Sequence, residues 1–577
     1  MLKGWNTKIL SIHDGHQASV AYFNHGALID CISEERINRL KGFAGFPKHS
    51  ITWILDQHKL NFDDIDYFVF PTIFSQLTDM DMNSKTTLSL LRTLASSGMI
   101  PASIMRTNLA KGIYGKLSSL NRRKIIKKEL VDKHKIPINK ISFYDHHLCH
   151  AATGYYFSGV SDGIIFTLDG AGDGNSGSIF TLNKGTFKLI LEVPAIDTVG
   201  GFYSGITQLL GMKRLEHEYK LMGMAPYADV ESKWVKEIIE IFHNYIKLTE
   251  DGLSFINPKG LWKDALVKYL HKDLYQRRFD HICAAAQAHV ENLIVTWVHN
   301  WVEKTKIRTA IFSGGVFMNV KVNQLLNDGS FLEKKYFVPS CGDNSNVIGA
   351  ATLKLLELGR PSQKLNQLLY LGPSYSNDQV LQALKKNNGK INWNFIPDME
   401  KKIAELMAND KIVARLNGRM EFGERALGNR SILCNPMNIN NIRKINKAIK
   451  MRDFWMPFAV SILHEYSSDY LKGNNITDAI YMIMAFHTTE KAQKEIIAGL
   501  HPFDLTCRPQ IVKKEDNQKY HKIIEEFYNI TGIPALLNTS FNIHGSPIVC
   551  SPDDAIYTLM NSDLDYVAIE NFLVQKD

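Results

Sequence analysis

The sequence predicts an α/β protein of at least two domains, and three observations lead there. At 577 residues the chain exceeds what a single hydrophobic core organises. Short strand-like runs alternate with longer helical patterns along its whole length. A polar stretch containing Pro361 and a Gly372-Pro373 pair interrupts that alternation. Residues 1–360 are therefore expected to form one domain, 361–376 a linker and 377–577 a second domain.

The chain opens with KILSI, ASVAYF and ALIDCISEER, three consecutive strands with turns at Asp14-Gly15 and Asn24-His25-Gly26. Hairpins with acid and glycine turns are how actin, heat-shock-chaperone and sugar-kinase folds cradle phosphate, an analogy at the level of fold alone. His13, Asp14 and His16 crowd the first turn. A histidine there is more often structural, but beside an active centre it is a general-base candidate. Residues 75–139 turn helical and basic and read as an insertion. Within it, Asn121–Lys135 interleaves its charges with Ile125, Ile126, Leu130 and Val131, the pattern of an amphipathic helix with a solvated face.

The run DHHLCHAATGYYF is expected to start a helix just after Asp145, which puts His146 and His150 one turn apart on the same face. Imidazoles so placed can share a metal ion, although a lone pair at this spacing is more commonly just hydrogen-bonded. The strand GIIFTLD follows, ending in Asp169 and then Gly170, Gly172, Gly174 and Gly177. A carboxylate at a strand end followed by glycines suits a cation held beside phosphate. Lys220, among further glycines, is a point charge for phosphate. The strand TAIFSGG delivers Ser313, Gly314 and Gly315, and VFMN then brings Asn319 to the start of a helix. That arrangement fits a nucleotide against a helix N-terminus and equally fits a bare strand-to-helix turn. Asp343, after Gly342 at another strand end, is the fourth candidate ligand. His146, His150, Asp169 and Asp343 form a nitrogen–oxygen set suited to iron(II), manganese or zinc.

In the second part, RLNGRMEFGERALGNR packs Arg415, Arg419, Glu421, Glu424, Arg425 and Arg430 around glycines. Lys450, Arg452, Arg508, Asn538, Thr539 and Ser540 follow in turn-rich runs. Guanidinium forks match phosphate oxygens bidentately, so these residues predict a second anionic ligand.

The net charge of +8 is mild for this length, and one basic helix is a poor phosphate footprint, so a nucleic-acid partner is not expected. Seven cysteines without a Cys-x-x-Cys pair predict a reduced, cytoplasmic protein. No apolar run reaches the length of a membrane span and no signal segment is read at the start, so no membrane partner is expected.

Ordered along nearly the whole chain, the motifs GHQASVAYF, SEERINRLKGFAGFP, DHHLCHAATGYYFSG, LDGAGDG, EYKLMGMAPYA, SGGVFMN, GDNSNVIGAA, GRMEFGERALGNRSI, CRPQIV and NTSFNIHGSPIV resemble the NodU/CmcH carbamoyltransferase family. The resemblance implies an N-terminal actin-like (ASKHA, ribonuclease-H-like) domain and a C-terminal YrdC-like α/β domain. It implies carbamoyl phosphate and ATP with Mg2+ as co-substrates, a carbamoyl-adenylate intermediate, and a small hydroxyl-bearing acceptor such as a sugar, an aminoglycoside or another natural product. By position it makes His146, His150, Asp169 and Asp343 ligands of an iron-type metal and His16 the base on the acceptor hydroxyl. Gly170, Gly172, Lys220, Ser313, Gly314, Gly315 and Asn319 form the nucleotide set. Arg425, Lys450, Arg452, Arg508, Asn538, Thr539 and Ser540 form the carbamoyl-phosphate set. One departure stands out: Met456 occupies a position where the family usually has arginine. The alternatives are a tRNA-modifying threonylcarbamoyl-type enzyme and a sugar-kinase-like ATPase, and a homodimer is left open.

Overall fold

The computed structural model describes residues 7–75, 102–360 and 369–577. Part of the expected insertion, 76–101, and part of the expected linker, 361–368, lie outside the described residues. The chain divides into two compact units, Met1–Glu34 with Gly42–Leu365 and Glu35–Lys41 with Asn366–Asp577. Both are mixed α/β.

In the first unit, β1 (Lys8–His13), β2 (Ser19–Asn24) and β3 (Ala27–Ser33) form antiparallel hairpins. Strand β4 (Tyr67–Phe70) pairs parallel to β1, and β5 (Ile141–Phe143) pairs parallel to β4. The sheet order is β3-β2-β1-β4-β5. Ile9, Leu10 and Ile12 on β1 are all fully buried, as expected of a central strand covered on both faces.

The second sheet repeats the arrangement. Strands β6 (Asp162–Gly172), β7 (Asn175–Asn183) and β8 (Thr186–Pro194) are antiparallel, and Thr309–Ser313 pairs parallel to both β6 and Lys334–Phe337. Its order is Lys334–Phe337, Thr309–Ser313, β6, β7, β8. The two central strands correspond, and each delivers an Asp-Gly pair towards its C-terminal end: Asp14-Gly15 directly after β1 and Asp169-Gly170 in β6. The glycine-rich turn behind Asp169 closes a hairpin between β6 and β7 rather than opening a helix.

Two helices lie close together over this unit's core. Helix His146–Ser158 packs on helix Asn346–Glu357, and small residues set how near they come. A Cβ at Gly349 would stand 1.9 Å from the Cys149 carbonyl oxygen, and one at Gly154 would stand 2.6 Å from Ile311 Cγ2. The periodic run around residues 280–304 forms helix Phe279–Thr305, which buries Leu293, Ile294, Trp297 and Val298.

The basic tract is helical at Leu120–Ile126 and continues as a π-helix at Lys127–Lys133, burying Ile126 and Leu130. Its polar face is not wholly solvated, because Arg122 turns inward and pairs with the buried Asp14.

The second unit is built on an eight-stranded mixed sheet among the described residues. Its order is Ile391–Phe395, Phe572–Lys576, Tyr566–Ile569, Val413–Leu416, Arg430–Cys434, Ala535–Ser540, Ala459–Leu463, Pro509–Val512. Helix Asn377–Lys385 starts from a capping box between Ser376 and Gln379. Segment Glu35–Lys41 is held to this unit by side chains. Arg36 donates to the Gly423 carbonyl at 2.6 Å, and Arg39 to those of Ile548 and Pro547 at 2.7 and 2.8 Å. Among the described residues no helix is long and apolar enough to cross a membrane.

Candidate functional site

Asp145 caps helix His146–Ser158 by accepting from Leu148 N at 2.8 Å, which starts the helix where it places both histidines inward. His146 Nε2 lies 3.2 Å from Asp169 Oδ2 and 3.5 Å from Asp343 Oδ1. His150 Nε2 lies 3.3 and 3.4 Å from the same two oxygens. The four ligand atoms all fall within 4.8 Å of one another. Two imidazole nitrogens and two carboxylate oxygens at this spacing fit a divalent first-row transition metal.

Glycines allow this crowding. A Cβ at Gly315 would approach Asp169 Oδ1 to 2.9 Å, and one at Gly200 would approach the Asp169 carbonyl oxygen to 2.8 Å. At Gly172 a Cβ would lie 2.1 Å from the His146 ring, so the histidine fills the space beside it. Asp173 ties the site together by accepting from His146 N at 2.9 Å, Ile73 N at 2.9 Å and Thr72 Oγ1 at 2.6 Å.

Burial pulls the His146 imidazole down, but the carboxylates of Asp343 and Asp169 outweigh it and raise it to about 9. Burial pushes Asp169 up, yet His146 and His150 hold it well below the ordinary carboxylate value. A metal ion and a proton would compete for the same imidazole lone pairs.

His13 ends β1 fully inside, and its burial, opposed by Asp343, lowers it to about 4. Its Nε2 is 2.9 Å from the His16 carbonyl oxygen, which makes Nε2 the donor, while the buried Nδ1 has no hydrogen-bond partner among the described residues. His16 is half-buried, with its Nε2 beside Gly42.

Of the nucleotide set, Gly170, Ser313, Gly314 and Gly315 gather around Asp169. Thr198 Oγ1 donates to the Gly170 carbonyl at 2.7 Å, and the buried Ser313 Oγ has no hydrogen-bond partner among the described residues. Gly314, at φ 98°, would place a Cβ 2.2 Å from the Leu168 carbonyl oxygen. The Asn319 amide is already committed: it caps helix Val320–Asp328 and exchanges hydrogen bonds with Gln287 at 3.0 and 3.1 Å. Lys220 sits on helix Glu218–Met224, which packs on the long helix Phe279–Thr305.

The second unit gathers cations. Lys450 is buried, and its Nζ donates to Ser540 Oγ at 3.1 Å and Asn542 Oδ1 at 2.7 Å. Burial, then Arg452, then Lys41, hold Lys450 well below the ordinary lysine value. Burial, then Arg425, then Arg452, depress Arg508 likewise. Arg452 donates to Thr539 Oγ1 at 3.1 Å and lies 4.8 Å over the Phe458 ring. Like charges brought together under burial are unfavourable unless an anion joins them. Asn538 donates to Ala426 O, Ser461 Oγ and Gln510 Oε1 at 3.1–3.2 Å, and its Oδ1 has no partner among the described residues. Met456 is buried.

Not every arginine of the glycine-rich run joins this group. Arg415 donates to the Gly428 carbonyl at 2.6 Å, Arg419 to that of Leu371 at 2.6 Å, and the fully buried Arg430 to those of Asn417 and Pro373 at 3.0 Å. These guanidiniums brace loops. Glu421 accepts from the backbone N–H groups of Leu427, Asn429 and Arg430 at 2.7–3.1 Å.

The sequence matches the family Carbamoyltransferase N-terminus over residues 8–352 and Carbamoyltransferase C-terminus over residues 404–576. The chain belongs to the carbamoyltransferase family. It is 32% identical to an uncharacterized protein of Methanocaldococcus jannaschii over 98% of this chain and 99% of that one. It is 29% identical to nodulation protein NolNO of Sinorhizobium fredii over 97% and 79%. To nodulation protein NolO of Bradyrhizobium diazoefficiens it is 31% identical over 75% and 79%. Among solved structures, HypF of T. kodakarensis overlaps at a TM-score of 0.33 and 11% identity, over 61% of this chain and 48% of that one. An overlap of that size carries no argument.

Three residues of this carbamoyltransferase escaped the sequence reading. Asp173 lay in the highlighted LDGAGDG run, and its position before a glycine was the available signal. Lys41 and Arg122 gave none, since both lie in polar runs whose partners are hundreds or about a hundred residues distant.

Proposed function

We propose that this carbamoyltransferase uses carbamoyl phosphate and ATP and transfers the carbamoyl group to a hydroxyl of a small-molecule acceptor, such as a sugar, an aminoglycoside or another natural product. Water hydrolyses carbamoyl phosphate to carbamate and phosphate, a carbamate oxygen displaces pyrophosphate from the ATP α-phosphorus, and the acceptor oxygen then attacks the carbamoyl carbon of the carbamoyl-adenylate and releases AMP.

The observation that carries this reading is the group of Arg425, Lys450, Arg452 and Arg508, in which Arg452 depresses Lys450, and Arg425 and Arg452 depress Arg508. A compact, doubly anionic substrate supplies the charge such a pocket lacks. Ser540, Thr539 and the Asn538 Oδ1 orient it. In the first unit, Gly170, Gly172, Ser313, Gly314, Gly315, Asn319 and Lys220 receive ATP with Mg2+, with Asn319 acting through the helix it caps. His146, His150, Asp169 and Asp343 hold iron(II) or a similar ion, which when bound acts as a Lewis acid towards phosphate and acceptor oxygens. His16 takes the acceptor proton. The duplicated sheet, with an Asp-Gly pair on each central strand, supports an actin-like reading of residues 1–360. Residues 377–577 are read as YrdC-like through the family resemblance, and the protein as cytoplasmic.

The test is pyrophosphate release from ATP by the purified protein, with hydroxylamine added to trap the activated carbamoyl group as hydroxyurea. Release and trapping that both require carbamoyl phosphate support the reading. Release independent of carbamoyl phosphate overturns it.

A further inference from the structure

The basic helical segment has no role in the function above, yet its cations run into the first unit's site. Arg106 grips Asp197 bidentately at 2.7 and 2.9 Å, next to the Thr198 that holds Gly170. Lys111 donates to Asn175 Oδ1 at 2.6 Å, just past the turn that carries Asp173. Arg122 reaches deepest, pairing with Asp14. Asp14 is 4% exposed, and Arg122 is the cation that forms its ion pair among the described residues. In the same turn Gln17 sits at φ 59°, and His13 Nε2 donates to the His16 carbonyl, so the two histidines are linked through the turn that Asp14 occupies.

We propose that Arg122 is a positioning residue of the N-terminal site, fixing through Asp14 the turn that carries His13 and His16. The importance of that turn rests on the reading of His16 as the acceptor base, but the placement itself does not. A buried carboxylate needs a paired cation, and a guanidinium pins its direction as well as its charge. With the pair broken, Asp14 draws towards water and takes both histidines with it.

The experiment is site-resolved carbethoxylation of the full-length protein by diethyl pyrocarbonate, read by mass spectrometry, with thermal stability measured alongside. His13 is 3% exposed and His16 half-buried, so in the parent His13 should react at least ~10-fold more slowly than His16. In Arg122→Met that protection should fall several-fold, and Arg122→Lys should restore part of it. The double variant Arg122→Met with Asp14→Asn leaves no unpaired buried charge, so it should recover stability while His13 stays reactive. Unchanged His13 protection in Arg122→Met overturns the inference. So does a double variant that recovers stability and protection together, which would make the pair a stability device alone. A parent that releases no pyrophosphate from ATP and carbamoyl phosphate would instead sink the functional reading, and the footprint would still decide Arg122.

Discussion

Lys450 directs its ammonium at Asn542 Oδ1, 2.7 Å away, a neutral amide where a buried lysine ordinarily meets a carboxylate. Burial beside Arg452 and Lys41 therefore disfavours the ammonium, and the ligand-free fold is destabilised whether the lysine keeps its proton or gives it up. Lys450→Met should raise the melting temperature of the ligand-free protein while abolishing carbamoyl-phosphate-dependent pyrophosphate release. Inorganic phosphate should stabilise the parent and not the variant, because only the parent binds it in the folded state. A fall in melting temperature for Lys450→Met would show the charge to be already balanced.

The same depression sets a pH dependence. The folded lysine titrates well below the ordinary value of 10.5. Between those two values the unfolded chain holds the proton and the folded chain does not, so stability of the ligand-free protein rises with pH across that window. Denaturant titrations of parent and Lys450→Met at several pH values should show a rising contribution in the parent that the variant lacks.

Arg425 faces Arg508 and lies beside Glu424, whose burial raises its carboxyl while Arg425 and Arg36 pull it back. Loss of one charge-assisted contact to a buried anion costs about 1.5–3 kcal/mol, so Arg425→Ala should weaken carbamoyl phosphate roughly 10- to 150-fold. Titration with carbamoyl phosphate, with melting temperature measured in parallel, checks it. Unchanged affinity with lost stability would mark the arginine as structural.

The metal set depends on helix spacing as much as on its ligands. His150→Ala should empty the site with the fold retained, as read by elemental analysis after loading with iron(II) or manganese. Gly349→Ala keeps every ligand, but its methyl would stand 1.9 Å from the Cys149 carbonyl oxygen, so the helices must part. Metal affinity should fall at least ~10-fold in that variant, since misplaced ligands bind poorly. Full occupancy in His150→Ala would remove the site from consideration.

His16→Asn separates the two chemical steps. Pyrophosphate release from ATP and carbamoyl phosphate should stay within about two-fold of the parent. Transfer to an acceptor on which the parent acts should fall by the ~10²–10⁴-fold that a general base contributes. Transfer at the parent rate would hand the role to His13, whose buried Nδ1 has no partner among the described residues.

What the sequence determined by itself is local. The 3.6-residue helical repeat and the Asp145 cap set His146 and His150 on one face before any tertiary contact forms. The hairpin turns and Asp169 near the end of β6 were legible for the same reason, since capping, turn chemistry and periodicity act over a few residues. Asp343 was expected at a strand end and instead opens the 3-10 turn Asp343–Ser345, beyond strand Lys334–Phe337. Ordered motifs along the chain carried the family. Tertiary structure alone decided which charged groups are neutralised within the protein. Arg415 and Arg430 look like Arg508 in sequence, yet they meet carbonyl oxygens, whereas Arg508 is buried beside Arg425 and Arg452. It also decided that Glu35–Lys41 joins the second unit, that the two sheets of the first share one order, and that Arg122 reaches Asp14. Each of these rests on a contact between residues far apart in the chain. Such contacts are selected by how buried sheets and helices close on one another, because a polar group shut away from water must take whatever partner the fold brings to it.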